Sequence, residues 1–240
     1  MQIIPELNLA LAFVPVIIVL IIMARWSLSL GDKLVALARM LIQLIVIGYA
    51  LTWIFALNSS AVVLLILTIM LFIASSIALR PLSKDQLKRD YWRALVAISV
   101  GGGFTLAFLV IFVLQLKPWY QANTIIPLAG MIFASAMNTV SVAAERFSME
   151  LKRDVQWLDA RNQAFTAGLI PIFNSLLAVG LVTLPGMMTG QILSGVSPLI
   201  AVRYQIVVMC MLTGASGISV AVFLFLQGRR MLNSGGTTDG

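Results

Sequence analysis

The sequence predicts an all-α, polytopic membrane protein with about seven transmembrane helices. Three observations carry that prediction. Of the 240 residues, 60% are hydrophobic and only 10% are charged, where a soluble domain carries about 25% charge. Mean hydropathy is +1.02. The apolar residues also gather into runs of about 20, the length that crosses a bilayer as a helix.

Seven such runs can be read: Leu7–Met23, Leu34–Leu57, Ala61–Leu79, Ala94–Leu116, Ile125–Ala144, Ala164–Leu184 and Leu199–Leu226. The first follows Glu6 without a basic region before it or a small-residue cleavage site after it. It reads as a retained span, not a secretory signal. Seven crossings place the termini on opposite sides. With the N-terminus outside and the C-terminus cytoplasmic, fourteen of the sixteen Lys and Arg residues face the cytoplasm, leaving Lys117 and Arg203 outside. Cytoplasmic loops retain basic residues, so this orientation is the expected one. An eighth crossing within 185–198 would send Arg229 and Arg230 outward, so that stretch reads as a loop or re-entrant piece near the outer face. Residues 1–232 form one membrane domain in this reading, with a cytoplasmic segment at about 145–163. The small polar residues of 233–240 read as a disordered tail.

Composition excludes several chemistries. Histidine is absent and Cys210 is the only cysteine. An intrachain disulfide and a zinc site built from several Cys or His are therefore impossible. No Gly-Lys pair occurs, so the phosphate-cradling P-loop is missing. The Gly101-Gly102-Gly103 run lies within a span, where close helix packing explains it better than phosphate binding. No nucleophile–base set and no carboxylate pair at membrane depth is visible. The net charge of +7 reflects basic loops and not a nucleic-acid partner. A transporter built this way is not an enzyme, and its energy comes most simply from a partner subunit. An ion-coupled carrier would need a titrating group near the midplane. A non-transporting membrane scaffold is a further alternative.

Within 145-ERFSMELKRDVQWLDARNQ-163, Phe147, Leu151, Val155 and Leu158 recur at steps of four, four and three. That spacing predicts one apolar face of a helix continuing from the fifth span. Trp157 lies beside the stripe, and Glu150 and Arg153 are among its charged surroundings. The face fits either a groove on a cytosolic partner or lipid headgroups. The loop 80-RPLSKDQLKRDYWR-93 reads as a basic topology anchor.

The charge-free run from Asn162 to Val202 contains 179-VGLVTLPGMMTGQILSG-195. Pro185 ends or bends the sixth span by removing a backbone donor. Gly186 and Gly190 have a G-x-x-x-G spacing that admits a neighbouring helix. Thr183, Thr189 and Gln191 supply hydrogen bonds. The stretch suits a broken helix at the outer end of a substrate path, a dimer seam, or packing alone. Met131, Met137, Met187 and Met188 offer thioethers, which suit soft ions better than hard iron, and also serve as packing filler. Gln43, Tyr49, Asn138 and Asn174 are neutral polar groups within spans. Each is interhelical glue or one wall of a polar path. Glu145 is the carboxylate nearest that path at its inner end. With no carboxylate at depth, a bare hard cation finds few oxygen ligands. Cargo is expected as a chelate, under weak transient coordination, or with ligands shared across a dimer.

The blocks 125-IIPLAGMIFASAMNTVSVAAER-146, 171-PIFNS-175, 179-VGLVTLPGMMTGQILSGVSP-198 and 203-RYQIVVM-209 resemble the FetB-type (YbbM) ABC-transporter permease family, as do Arg39, Gln43 and 48-GY-49. The resemblance runs from about Arg25 to Arg230. It implies an inner-membrane permease subunit that holds no cofactor of its own. The implied assembly is two permeases with two separate ATP-binding cassette subunits, which hold ATP and Mg. It also implies metal export: bacterial members are associated with iron, plant relatives with aluminium tolerance. On this resemblance the path or gate set is Gln43, Tyr49, Met131, Asn138, Asn174, Pro185, Gly186, Met187, Met188, Gly190 and Gln191. The ATPase-coupling set is Glu145, Phe147, Glu150, Leu151, Arg153, Val155, Trp157 and Leu158. The metal ligands stay unknown. This chain departs from the family pattern at Ala134-Ser135, where Gly-Asn is usual. Its cytoplasmic segment is also shorter and lacks a Leu-Gly-Ala stretch.

Overall fold

The computed structural model describes residues 5–57 and 59–235 and is all-helical apart from turns and one isolated bridge. Six helices among the described residues are long and apolar enough to cross a membrane. The chain divides into two compact units, Met1–Leu57 and Asn58–Gly240.

The first unit holds α1 (Glu6–Leu11), α2 (Val14–Arg25) and α3 (Gly31–Leu57). A short turn at Ala12–Phe13 separates α1 from α2, and the apolar stretch Asn8–Arg25 is one candidate span. Gly31–Phe55 is the second. No residue of α2 is buried: Val16, Leu20 and Met23 are half-buried, and its Ile side chains are exposed. In a bilayer this carries no penalty, because acyl chains are as apolar as Leu.

The second unit holds α4 (Ser60–Ala78), α5 (Lys84–Ile98), α6 (Phe104–Phe108), α7 (Ala122–Leu151), α8 (Trp157–Ala178), α9 (Gly186–Leu193) and α10 (Pro198–Gly235). Two π-helical stretches, Ser99–Gly103 and Leu109–Val113, join α5 and α6 into one span, Lys84–Val113. The helix begins inside the expected basic loop. Ser83 explains this: its hydroxyl accepts from the Gln86 amide, and the Gln86 side chain returns to Ser83 in a capping box.

α7 is the central element, packing against α4, α8 and α10. Ala129, Ala136 and Ala143 on it are fully buried. Such small side chains let backbones come close, which is how helices associate where water gives no push. At α8 the approach is closest near Gly168. A Cβ there would lie 3.0 Å from the Thr139 carbonyl oxygen and 3.1 Å from Ala143 Cβ.

Contacts fix the helix directions. Thr139 meets Gly168, and Arg146 reaches Gln163, so α8 runs back along α7. Ser135 bonds Ser216 near one level, and Phe147 shares a cavity with Phe223 and Gln227 at another. α10 therefore runs parallel to α7. The basic residues Arg89, Arg146 and Arg161 gather at the end where α7 stops, α8 starts and Gln227 lies.

Three expectations need correction. The segment 145–163 is not one amphipathic helix. α7 stops at Leu151, Lys152–Gln156 form a turn with Asp154 at φ 57°, and α8 starts at Trp157. Aspartate tolerates this left-handed conformation better than most residues. The reversal divides the apolar stripe. Phe147 is buried in the unit's own core, Leu151 and Val155 are half-buried, and Leu158 is 54% exposed. The sixth expected span stops at Ala178, not Leu184, and its first turns carry Asp159, Arg161, Asn162 and Gln163. It is not among the six helices long and apolar enough to cross by composition. The expected tail is helical through Gly235, and residues 236–240 lie outside the described residues.

The packing makes a paired prediction for the purified protein in detergent. Gly168→Val forces atoms onto the Thr139 carbonyl and lowers stability by about 1–3 kcal/mol, seen as a clear drop in Tm. Gly190→Ala leaves packing unchanged, because nothing lies within 4 Å of its Cβ position.

Candidate functional site

α7, α8, α9 and α10 enclose one side of a cleft of about 490 Å³. Its wall is uncharged. α7 contributes Met131, Ser135, Asn138 and Thr139, α8 contributes Pro171, Ile172 and Ser175, and α10 contributes Gln205, Val208 and Met209. Val179, Thr183, Pro185, Gly186 and Met187 close it at the end away from the basic cluster.

The closing element explains the unusual composition of 179–195. After α8 the chain turns sharply. The Gly180 amide donates to the Thr183 carbonyl at 2.9 Å, and Gly180 takes φ +84°, a conformation that costs glycine nothing. Pro185 sits just before α9, its carbonyl accepting from the Thr189 amide at 2.9 Å. The eight residues of α9 rise only about 12 Å, too little to cross a bilayer. Gly195, at φ +91°, then reverses the chain. Its amide donates to the Ile192 carbonyl and the Val196 amide to the Gln191 carbonyl, the two bonds of a Schellman cap. Prolines and glycines thus serve a turn, a short helix and a second turn.

Hydroxyls in the wall mostly bond within their own helices. Thr139 donates to the Ser135 carbonyl at 2.9 Å and Ser175 to the Pro171 carbonyl at 2.9 Å. Gln205 differs. It is 6% exposed, yet its Oε1 accepts no hydrogen bond from any described residue. A buried carbonyl-type oxygen left unpaired costs about 1–3 kcal/mol. Its position in the cleft wall places a strong neutral acceptor beside the thioethers of Met131, Met187 and Met209. Among the described residues no three His, Cys, Asp or Glu side chains are placed to hold a metal ion.

Of the expected path residues, the cleft brings together Met131, Asn138, Pro185, Gly186 and Met187. Asn174 is exposed on α8, and Met188, Gly190 and Gln191 lie on α9 outside the cleft wall. Gln43 and Tyr49 belong to α3 of the first unit, where Tyr49 is 79% exposed. Within the chain no other described helix uses the G-x-x-x-G spacing: nothing lies within 4 Å of a Cβ placed on Gly186 or Gly190. Sequence reasoning missed Ser135, Thr139, Ser175, Gln205 and Met209 as members of the wall. Gln205 and Met209 are one helical turn apart in a charge-free stretch, and that signal was available.

The expected coupling residues also separate. Glu150 is 3% exposed and lies 2.7 Å from Arg146 and 3.6 Å from Arg153. Arg146 reaches on to Gln163 of α8 at 2.9 Å. Glu150 and Arg146 therefore clamp the α7–α8 reversal and do not form an open docking patch. Trp157 is used internally as well: its ring lies on Gly228 of α10, and Arg161 stacks over it at 5.0 Å. Glu145, Lys152, Arg153, Asp154 and Leu158 remain exposed at this end.

Two substitutions should move stability in opposite directions. Glu150→Gln lowers it by about 2 kcal/mol, below the value for a fully buried pair because both guanidiniums reach solvent. Gln205→Leu keeps or raises Tm, since it removes an unpaired buried acceptor. Thermal unfolding in one detergent checks both.

Comparison with known proteins adds the relatives. The chain matches the family described as uncharacterised protein family UPF0014 over residues 6–160 and 155–232. It is 31% identical to the Escherichia coli protein named probable iron export permease protein FetB, over 95% of this chain and 92% of that one. It is 35% identical to a UPF0014 membrane protein from Synechocystis, over 75% of this chain and 74% of the relative. It is 30% identical to the Arabidopsis thaliana protein ALUMINUM SENSITIVE 3, over 90% and 84%. No solved structure matches. With its six apolar helices and this match along almost its whole length, the chain is a multi-pass membrane protein belonging to the UPF0014 family.

Proposed function

We propose that this chain is the membrane-spanning permease subunit of an ABC transporter that exports iron or another metal. The cargo travels as a chelate or under weak transient coordination, and a separate ATP-binding subunit hydrolyses ATP with Mg. The observation that carries this reading is the uncharged cleft with its unpaired, buried Gln205 acceptor. A buried polar group left unpaired is costly and marks a path more readily than a packing contact. The wall offers amide, hydroxyl and thioether groups but no carboxylate, so it is poorly matched to a bare hard cation. A cargo that brings its own ligands suits it. The name of the Escherichia coli relative supports iron, and that of the Arabidopsis relative points to a metal more broadly.

In this reading α8 is the seventh crossing. Its 22 residues rise about 33 Å, close to the thickness of the hydrocarbon core. Its charged first turns lie at the basic end, in the headgroup region. That end faces the cytoplasm of the inner membrane, with the N-terminus outside. The exposed reversal at Lys152–Leu158 meets the ATP-binding subunit, and two permeases pair in the assembly.

The reading is tested with vesicles containing this chain and a co-expressed ATP-binding subunit, supplied with Fe(II) alone or Fe(III)–citrate. ATP-dependent export is expected, strongest for the chelate and lost without the ATPase. Leu158→Asp should cut coupled ATPase activity at least about tenfold, the effect of about 1.4 kcal/mol, while Tm holds. Flux driven by a proton gradient through the chain alone would establish the ion-coupled carrier instead. Bound ATPase with no flux of either probe would establish a scaffold.

A further inference from the structure

One face of α10 carries Gln205, Met209, Ser216, Ser219, Phe223 and Gln227. At 3.6 residues per turn they fall within an arc of about 80°. Gln205, Ser216, Ser219 and Gln227 are all buried. From Gln205 to Gln227 the helix rises about 33 Å, the thickness of the hydrocarbon core. Four buried polar groups, with Met209, Leu212 and Phe223 between them, thus mark a stripe from one end of the crossing to the other.

Each end of the stripe opens into a cavity. Gln205 and Met209 line the cleft described above. Phe223 and Gln227 line a second cavity of about 250 Å³ between α5, α7 and α10, together with Gln86, Arg89 and Ser148. Gln86 donates to the Ser148 hydroxyl at 3.0 Å, and Asp90 beside it is ion-paired with Arg93. This cavity lies at the basic end. Between the two cavities the seam is shut. Ser216 and Ser135 share a hydrogen bond of 2.8 Å. Ser219 lies so close to Gly101 that a Cβ there would fall 2.8 Å from the Ser219 Cα. Phe223 is fully buried below them.

Hydrogen-bonded serines and glutamines between helices are often plain glue. Glue would leave each of them paired. Gln205 Oε1 and Ser219 Oγ have no hydrogen-bond partner among the described residues. The segment facing Ser219, Ser99–Gly103, is π-helical, a form enriched at functional sites and able to change register locally.

Resting on the transport reading above, we propose that this stripe of α10 is the route of the cargo. The cavity at Gln227 is its cytoplasmic vestibule, and the level of Ser216, Ser219 and Phe223 is the closure between vestibule and outer cleft. The cargo class that fits is a metal complex whose own oxygen ligands cover the ion. Its oxygens exchange hydrogen bonds with successive amides and hydroxyls and meet no fixed charge between the two cavities.

Cysteine accessibility tests the route. Cys210 is the only native cysteine and is replaced first, as Cys210→Ser. Gln205→Cys, Ser216→Cys, Gln227→Cys and the outward-facing control Ile206→Cys are then made singly, with Ser219→Cys as a second variant at the closure. Each is placed in vesicles with the ATP-binding subunit and probed with an impermeant methanethiosulfonate added on one side at a time. At rest, the thiol of Gln205→Cys should react only from outside and that of Gln227→Cys only from the cytoplasmic side. Those of Ser216→Cys, Ser219→Cys and Ile206→Cys should react from neither. During ATP turnover the Ser216→Cys or Ser219→Cys thiol should react at least about tenfold faster, with Ile206→Cys unchanged. If export of Fe(III)–citrate persists while both closure thiols stay inert, the route is wrong and the transport reading stands. If the unmodified complex exports nothing, both fall together.

Discussion

The structure depends on close approach between helices at α7. In lipid, burying a leucine gains nothing over leaving it against acyl chains, so helices are held by backbone proximity and polar contacts. Ala129, Ala136 and Ala143 present almost no side-chain bulk, and Gly168 of α8 lies against the Thr139 carbonyl. The Ser135–Ser216 bond ties α10 to the same helix. Where these small residues bring α7, α8 and α10 together, the unit is dense. Where Met131, Asn138 and Pro171 replace them, the helices stand apart and the cleft forms.

The two ends of this unit are built for different tasks. At the basic end, Glu150 joins Arg146 and Arg153, and Trp157 lies on Gly228. Those contacts fix the reversal between α7 and α8 and hold it to the end of α10. A displacement there would be passed to three helices at once. At the opposite end, the cleft is closed by a turn, an eight-residue helix and another turn. Few tertiary contacts constrain that element, and local openings of low cost concentrate in such places.

Six of the seven expected spans were legible because hydropathy is a local property of about 20 residues. The stretch 185–198 was legible as a non-crossing piece because an eighth crossing would have sent Arg229 and Arg230 outward, and Pro185, Gly186, Gly190 and Gly195 punctuate it. The α7–α8 reversal was not. Phe147, Leu151, Val155 and Leu158 keep a helical period whether or not the chain turns at Asp154, so periodicity alone favours one continuous helix. What decides the matter is non-local: the ion pairs of Glu150 and the fit of Trp157 on Gly228. The cleft was half legible. Met131, Asn138 and Met187 were picked out as polar or sulfur-bearing residues within spans. Gln205 was seen only as part of a motif, since its burial without a partner is visible only in three dimensions. Gln43 and Tyr49 were chosen on the same polarity argument and lie on α3 of the first unit.

The central claim is that the uncharged cleft between α7, α8 and α10 carries cargo while the chain itself spends no nucleotide. The most direct measurement is an experimental structure of the chain bound to its ATP-binding subunit, trapped during turnover in the presence of Fe(III)–citrate. The account predicts density for the metal complex in the cleft, within hydrogen-bond distance of Gln205. Acyl-chain density filling that cleft, with the metal complex bound elsewhere, would contradict it.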